Sequence, residues 1–335
     1  MGGAGATPRG SQGAEPEAIP VVVVIASYRR PAYLARALQS VVSQQKVRPL
    51  EIVVVDDGSR DGTAQLASSF GARVIEKKHN EGLSAARNDG IRLATGAAKW
   101  VALLDDDDEW LPHHLFTLWS NRADHVLVSG TAIVLGSSEN SHGARGPSGE
   151  VLRSPGRLLF PQNSVTTSAV LVRRDVLAEV GGFDGHLRYG EDLDAWLRVL
   201  ERGTGVLVGE VTCLYLQHAR QLSANRLGMM SANETILDKY RDRPWLTARL
   251  RESLEVVSTW DDLQAARGQH QWPEVARKAV WLLGRPSRAA DLARLWSFRR
   301  QTRRFWRQHR HLANQSSEVR AEAPPTPSPA PGPGA

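Results

Sequence analysis

The sequence predicts an α/β protein built on a mainly parallel, twisted sheet with helices on both faces, followed by a helical C-terminal extension. Three observations carry this. Short β-branched runs alternate with longer helical patterns through the first half of the chain, as βαβ units require. Polar clusters stand at the carboxyl ends of those runs, where open α/β sheets bind their ligands. The last third of the chain turns helical and strongly basic.

The elements follow in order. Val21 to Ala26, Leu50 to Val55, Ala72 to Glu76 and Lys99 to Leu104 read as strands buried on both faces. Ala32 to Gln44 spaces Tyr33, Leu34, Leu38, Val41 and Val42 along one helix face. Asp61 to Ser69 and Gly82 to Thr95 are helical too, the second stopped by Gly96. Leu135 to Ser154, rich in Gly and Ser, reads as a loop or open hairpin over the sheet. Ser168 to Val172 is a strand, Arg174 to Val180 a short helix ended by Gly181 and Gly182, Asp192 to Glu201 a second helix, and Val206 to Leu216 strand-like. From Arg226 to about Arg310 the pattern is helical, broken at Pro244, Pro273 and Pro286. Residues 1–18 and 314–335 have few large apolar residues and read as disordered tails, leaving 19–225 as one α/β domain and 226–313 as a basic helical extension.

Composition narrows the function. A 41% hydrophobic content over 335 residues supports a substantial core. The single cysteine, Cys213, excludes an intramolecular disulfide. No apolar run approaches the roughly 18 residues of a membrane span, and the N-terminus lacks the apolar stretch of a secretory signal, so a cytoplasmic protein is expected. Gly3 and Gly5 precede the first strand and make no dinucleotide fingerprint, and no Gly-x-x-x-x-Gly-Lys-Ser/Thr loop occurs.

Four consecutive aspartates, Asp105 to Asp108, follow the apolar run Trp100 to Leu104. Like charges cannot be packed inside a strand without a counter-ion, so the cluster must stand at the strand's end, facing a cation or solvent. Oxygen ligands on a short turn suit Mg²⁺ or Mn²⁺, which keep positions open for a substrate diphosphate. A solvated acidic loop is the plainer alternative. A calcium loop is excluded, because the sixth position from Asp105 is Trp110 and the twelfth Phe116. Ser27-Tyr28-Arg29 and Asp56-Asp57-Gly58-Ser59 end the first and second strands and converge on the same crevice, although the latter would equally serve as a turn or helix cap.

The ordered series Val21 to Arg30, Glu51 to Ser59, Asn80 to Gly90, Leu103 to Pro112 and Gly181 to Arg198 resembles glycosyltransferase family 2, the inverting, sugar-nucleotide-dependent enzymes of the GT-A fold. The likeness covers roughly residues 19 to 218. It implies that Ser27, Tyr28 and Arg29 lie at the donor site, with Tyr28 and Arg29 cradling the nucleobase and diphosphate. Asp57 would accept from the uracil imide and Arg87 would lie near the nucleotide. Asp105 would open the Asp-x-Asp pattern, Asp106 meet the ribose and Asp107 the metal, with Asp108 left as a helix-entry cap. Glu191 and Asp192 fall where the family holds its general base, which a poorly nucleophilic sugar hydroxyl needs. His218 matches a late histidine that some relatives place near the metal or diphosphate. His113 and His114 read as helix-surface residues, and Trp196 either shapes the acceptor site or packs in the core.

The resemblance thus implies a metal-dependent, inverting hexosyltransferase that moves one sugar from a nucleotide sugar, with UDP favoured, to a glycan or lipid-linked acceptor. The Gln-x-x-Arg-Trp motif of processive synthases is missing, which favours single transfer. A nucleotidyltransferase and a non-catalytic sugar-nucleotide-binding module are the alternatives; against the first, Ala26 to Arg30 has no glycine to wrap a triphosphate. The likeness does not explain Arg285 to Arg310, where nine arginines face one acidic residue, Asp291, and Trp296, Phe298, Phe305 and Trp306 interleave. Two readings stand: a helix lying on an anionic bilayer at the inner face of the membrane, or one packing its aromatics on the α/β domain. No nucleic-acid partner is expected.

Overall fold

The structure, a computed structural model, describes residues 15–136, 150–161, 163, 165–218, 221, 222 and 225–321. Its centre is β1 (Glu17–Ser27), flanked in parallel by β2 (Val47–Asp56) and β4 (Trp100–Leu103), with β3 (Arg73–Glu76) beyond β2. β1 is apolar on both faces because it must be: Val22 and Val24 enter one core cluster, and Val21, Val23 and Ile25 enter the other. Helix α1 (Pro31–Val42) seats Leu34, Ala37, Leu38 and Val41 in the second cluster, and α2 (Thr63–Ser69) lies beside it. On the opposite face α3 (Leu83–Leu93) packs against β1 and β2. A Cβ at Gly90 would stand 2.5 Å from Val24 Cγ1, so glycine is what allows that close approach. Contrary to expectation β3 is only partly covered, since it closes the edge of the sheet and has one neighbour.

Beyond β4 the sheet becomes mixed. β8 (Val170–Arg173) runs antiparallel to β4 and β6 (Leu127–Gly136), while β6 pairs in parallel with β9 (Gly205–Gln217). Two short strands, β5 (Glu109–Trp110) and β7 (Glu150–Leu152), each pair antiparallel with β9. The long apolar run of β6 passes unassigned in the sequence reading, and its end at Gly136 falls inside the segment expected as a loop. Most of that loop, 137–149, lies outside the described residues. Short helices α4 (His114–Ser120), α5 (Gly156–Leu159) and α6 (Arg174–Glu179) and the longer α7 (Glu191–Leu200) complete the α/β part. Trp196 is fully buried, edge-on to Phe183 at 5.7 Å, as a core residue. His114 is a correction: it is fully buried, stacked on Trp110 at 4.1 Å, with Nδ1 3.1 Å from the Thr212 carbonyl oxygen. Burial lowers its pKa to about 3, so the ring is neutral.

Four helices follow: α8 (Arg226–Lys239), α9 (Ala248–Gly268), α10 (Trp272–Leu283) and α11 (Pro286–Ala321). Asn225 and Thr247 cap α8 and α9 by accepting from Gly228 N and Leu250 N. The helical pattern breaks beside Pro244, Pro273 and Pro286 as expected, and Pro273 and Pro286 sit in the first turns of α10 and α11, where a missing N–H costs nothing. The extension is fastened to the sheet, because Phe305, Trp306 and Leu312 of α11 pack on Ile133, Leu135, Val211 and Leu214 of β6 and β9. Two of the four aromatics expected on a bilayer or on the protein therefore take the packing role. Asp291 is fully buried but well served, by Arg249 at 2.6 Å, Ser253 at 2.8 Å and Arg294 at 3.2 Å. Among the described residues no helix is long and apolar enough to cross a membrane. The residues expected as tails fall largely outside the described ones, although β1 begins at Glu17 and α11 runs to Ala321.

Candidate active site

Because β1, β2 and β4 are parallel, Ser27, Asp56-Asp57 and the aspartate run are delivered to one edge of the sheet. A cleft of about 1480 Å³ opens there. It is lined on one side by Ser27, Tyr28, Asp57 and Asp105 to Asp107, and on the other by Glu191, Asp192 and residues of α8 and α9.

The four aspartates are not equivalent. Asp105 accepts from Arg87 Nη2 at 2.6 Å. Asp106 is buried, accepting from Ser27 Oγ at 2.7 Å and from Arg30 Nη1 at 3.3 Å. Burial, aided by the charges of Asp107 and Asp105, outweighs the Arg30 cation and lifts its pKa to about 7. Asp107 Oδ2 lies 2.8 Å from Arg30 Nη1 and 2.9 Å from His218 Nε2. Asp108 is not a helix-entry cap. It is buried, accepting from Ser168 Oγ and, at 2.8 Å, from Leu216 N, and burial raises its pKa well above the carboxylate range. Its task is to hold the turn after β4 against β9.

Arg87 connects the two sides of the cleft. Carried on α3 and 3% exposed, it reaches Asp105 with Nη2 and Glu191 Oε1 with Nη1 at 3.0 Å, its guanidinium 5.3 Å from the Phe183 ring centroid. These carboxylates outweigh the cost of burial and raise its pKa, so it is cationic throughout. Glu191 is buried, and burial with the Asp192 charge lifts its pKa to about 7 against the pull of Arg87. Asp192 is half-buried on the cleft wall. Its Oδ2 accepts from Thr167 Oγ1 at 3.2 Å, and its Oδ1 from the Leu193 amide at 2.7 Å. Glu191 is thus occupied by Arg87, whereas among the described residues Asp192 has only a hydroxyl and a backbone amide as donors.

Asp57 accepts from the Glu81 and Gly82 amides at 3.0 and 2.9 Å, which fixes it in the cleft wall and leaves lone pairs for a further donor. Tyr28 is at the mouth, 36% exposed. Arg29 lies beside the cleft and does not line it. Its backbone is left-handed (φ 55°), its amide donates to Ser59 Oγ, and its guanidinium lies over the Tyr28 ring. The neighbouring Arg30 lines the cleft and meets the aspartates instead. Sequence reasoning passed over Arg30 although it stands in the quoted Ser-Tyr-Arg-Arg run. It also missed Thr167 and Ser168, whose hydroxyl roles carry no local signature.

Among the described residues no three His, Cys, Asp or Glu side chains converge as a metal cage. Asp107 and His218 offer two ligands on adjoining elements, and the Arg30 guanidinium on Asp107 already answers that carboxylate's demand for positive charge. A hard divalent ion that takes one or two protein ligands and completes its shell from substrate phosphates and water fits this donor set.

A parallel-sheet edge carrying an aspartate turn, facing a Glu-Asp helix start across an arginine, defines a GT-A glycosyltransferase. The glycosyl transferase family 2 model matches residues 22–181. The chain is 30% identical over 245 residues to a succinoglycan biosynthesis protein, ExoO, of Rhizobium meliloti, spanning 66% of this chain and 68% of that one. It is 31% identical over 196 residues to the glycosyltransferase AglE of Haloferax volcanii, 55% of this chain and 62% of that one. This chain belongs to glycosyltransferase family 2. Two solved structures share the fold at low identity. S. aureus TarS 1–349 in complex with UDP-GlcNAc has a TM-score of 0.57, with 17% identity over 71% of each chain. The mannosyltransferase PcManGT of Pyrobaculum calidifontis, in complex with GDP-Man and Mn²⁺, has a TM-score of 0.55, with 18% identity over 94% of this chain and 92% of that one.

Proposed function

We propose that the enzyme moves a single sugar from a nucleotide sugar, UDP-linked in the first instance, to a hydroxyl of a glycan or lipid-linked acceptor, with inversion. The observation that carries this is the Arg87 bridge, which brings the aspartate run and the Glu191-Asp192 pair to one cleft. Tyr28 and Asp57 would receive the nucleobase and Asp106 the ribose. Asp107 and His218 would hold Mg²⁺ or Mn²⁺, which would offset charge developing on the departing diphosphate. Asp192 acts as the general base. It takes the acceptor's hydroxyl proton as that oxygen bonds to the anomeric carbon and the bond from that carbon to the diphosphate oxygen breaks. Glu191, held by Arg87, orients the helix start on which Asp192 stands. An active base and metal pair is also what separates this reading from a non-catalytic binding module.

Two measurements test it. Calorimetry should give Mn²⁺-dependent UDP binding by the native chain and none by Asp107→Ala. Asp192→Asn should keep that binding while transfer or donor hydrolysis falls about 10²–10⁴-fold. Undiminished Mn²⁺-dependent binding in Asp107→Ala would refute the metal assignment; surviving transfer in Asp192→Asn together with its loss in Glu191→Gln would move the base to Glu191.

A further inference from the structure

Eight large apolar side chains are exposed among the described residues, and four of them lie in one stretch of the C-terminal helices: Trp272 (59%), Val280 (73%), Leu283 (66%) and Trp296 (55%). On α10, Trp272, Ala276, Val280 and Leu283 fall at i, i+4, i+8 and i+11, so the helix repeat gathers them into one outward stripe. Val275, Ala279 and Leu282, on the other side of α10, pack in a cluster with residues of α9 and α11. The stripe is therefore surplus to what the three-helix packing needs.

The charge beside it is one-sided. Residues 271–310 carry eleven Lys and Arg against Glu274 and Asp291, and Asp291 is buried. On α11, Trp296, Arg300, Arg303, Arg304 and Arg307 share a face by the same repeat, opposite the side that sends Phe305 and Trp306 to the sheet. Those four arginines are exposed and make no ion pair among the described residues, whereas Arg288, Arg294 and Arg299 are paired with Glu252, Asp291 and Asp261. An exposed aliphatic and tryptophan stripe beside unneutralised arginines is the composition of a helix that lies in the interface of an anionic bilayer. A second copy of the chain on this face would bring arginine against arginine.

We infer that α10 and α11 seat the enzyme on an anionic lipid surface, with the Trp272–Leu283 stripe in the headgroup boundary and the arginines from 300 to 307 against the headgroups. α9 ties this face to the cleft: Leu254, Ser258 and Asp262 of α9 line the cleft, while the same helix packs against α10 and α11. The seat therefore lies one helix from the acceptor side of the site. It gives the lipid-linked alternative of the proposed function a physical basis without depending on which sugar is moved.

The test is co-sedimentation of the full chain with vesicles of phosphatidylcholine alone and with increasing phosphatidylglycerol, at low salt. Pelleting should rise with anionic content and be negligible on the neutral vesicles. Val280→Glu/Leu283→Glu should lower partitioning at least tenfold. The quadruple change of Arg300, Arg303, Arg304 and Arg307 to Gln should lower it up to roughly a thousandfold and flatten its dependence on phosphatidylglycerol. All these positions are exposed, so unchanged thermal midpoints and Mn²⁺-dependent UDP binding serve as controls. Failure of UDP binding in the native chain would count against the proposed function and not against this one. Native protein left in the supernatant at every lipid composition would overturn the inference, as would variants that pellet like the native chain. A native dimer made monomeric by Val280→Glu/Leu283→Glu, or tighter binding to a DNA duplex than to anionic vesicles, would overturn it in favour of those occupants.

Discussion

Replacing Arg87 by methionine keeps much of its volume but removes the one cation shared by Asp105 and Glu191. Glu191 is 8% exposed and already at a pKa of about 7 with the arginine in place. Removing one partner from a buried pair costs about 3–5 kcal/mol, because the remaining charge is left unanswered in a poor solvent. For a chain of this size that corresponds to a fall in melting temperature on the order of 10 °C. The sign with pH follows from the carboxylates. Without Arg87 the folded pKa of Glu191 rises above about 7, so the loss is full above that raised value and fades as pH falls back to about 7, below which Glu191 is protonated in both proteins. Melting curves of the native chain and Arg87→Met at pH 8 and pH 5, by circular dichroism or calorimetry, should therefore diverge at the higher pH and converge at the lower. Adding Glu191→Gln to Arg87→Met should recover part of the loss at pH 8. An equal deficit at both pH values, or no recovery in the double variant, would refute the electrostatic account and leave the packing on Phe183 as the cause.

Further outcomes follow from the core. Gly90→Ala would press a methyl onto Val24 and Val55 and should cost about 1–3 kcal/mol, read as a shifted denaturation midpoint. His114, held to a pKa of about 3 by burial against about 6.5 when free, binds fewer protons folded than unfolded; stability from this group is full above about pH 6.5 and declines as pH falls toward 3. His114→Gln should flatten that acid-side slope in chemical denaturation, and an unchanged slope would show that the decline has another source.

The parallel half of the sheet was legible because β1, β4 and the end of β2 are buried on both faces and so are written as unbroken apolar runs, with polar residues at the carboxyl end; the edge strand β3 is the exception. Convergence of Ser27, Asp57 and the aspartates follows from that topology alone. The mixed half was less legible. β5 has two residues and no periodicity of its own, and β6 carries a clear apolar run that no neighbouring polar cluster drew attention to. His114 looked like a surface helix residue because local pattern does not reveal that β9 covers it. Arg29 and Arg30 could not be told apart by type: the left-handed turn at Arg29 sends one guanidinium over Tyr28 and the other to the aspartates. The packing of Phe305 and Trp306 on β6 and β9 is likewise a long-range outcome, invisible to a helical repeat that shows only which residues share a face.

Asp107 and Asp108 are chain neighbours, yet they face opposite ways. Asp108 accepts the Leu216 amide, and two residues further along the same strand exit His218 meets Asp107. The inner carboxylate thus sets the registration of the very histidine that its neighbour needs, like a peg that indexes one rail against another. Under the metal role proposed for Asp107, alanine at either position should silence the enzyme, but for unlike reasons. At 107 the scaffold should stay intact with its cation seat removed; at 108 the seat keeps its carboxylate while the rail beside it slides. An activity screen alone would score the two as equivalent, whereas a melting curve alongside it would tell a lost ligand from a lost alignment.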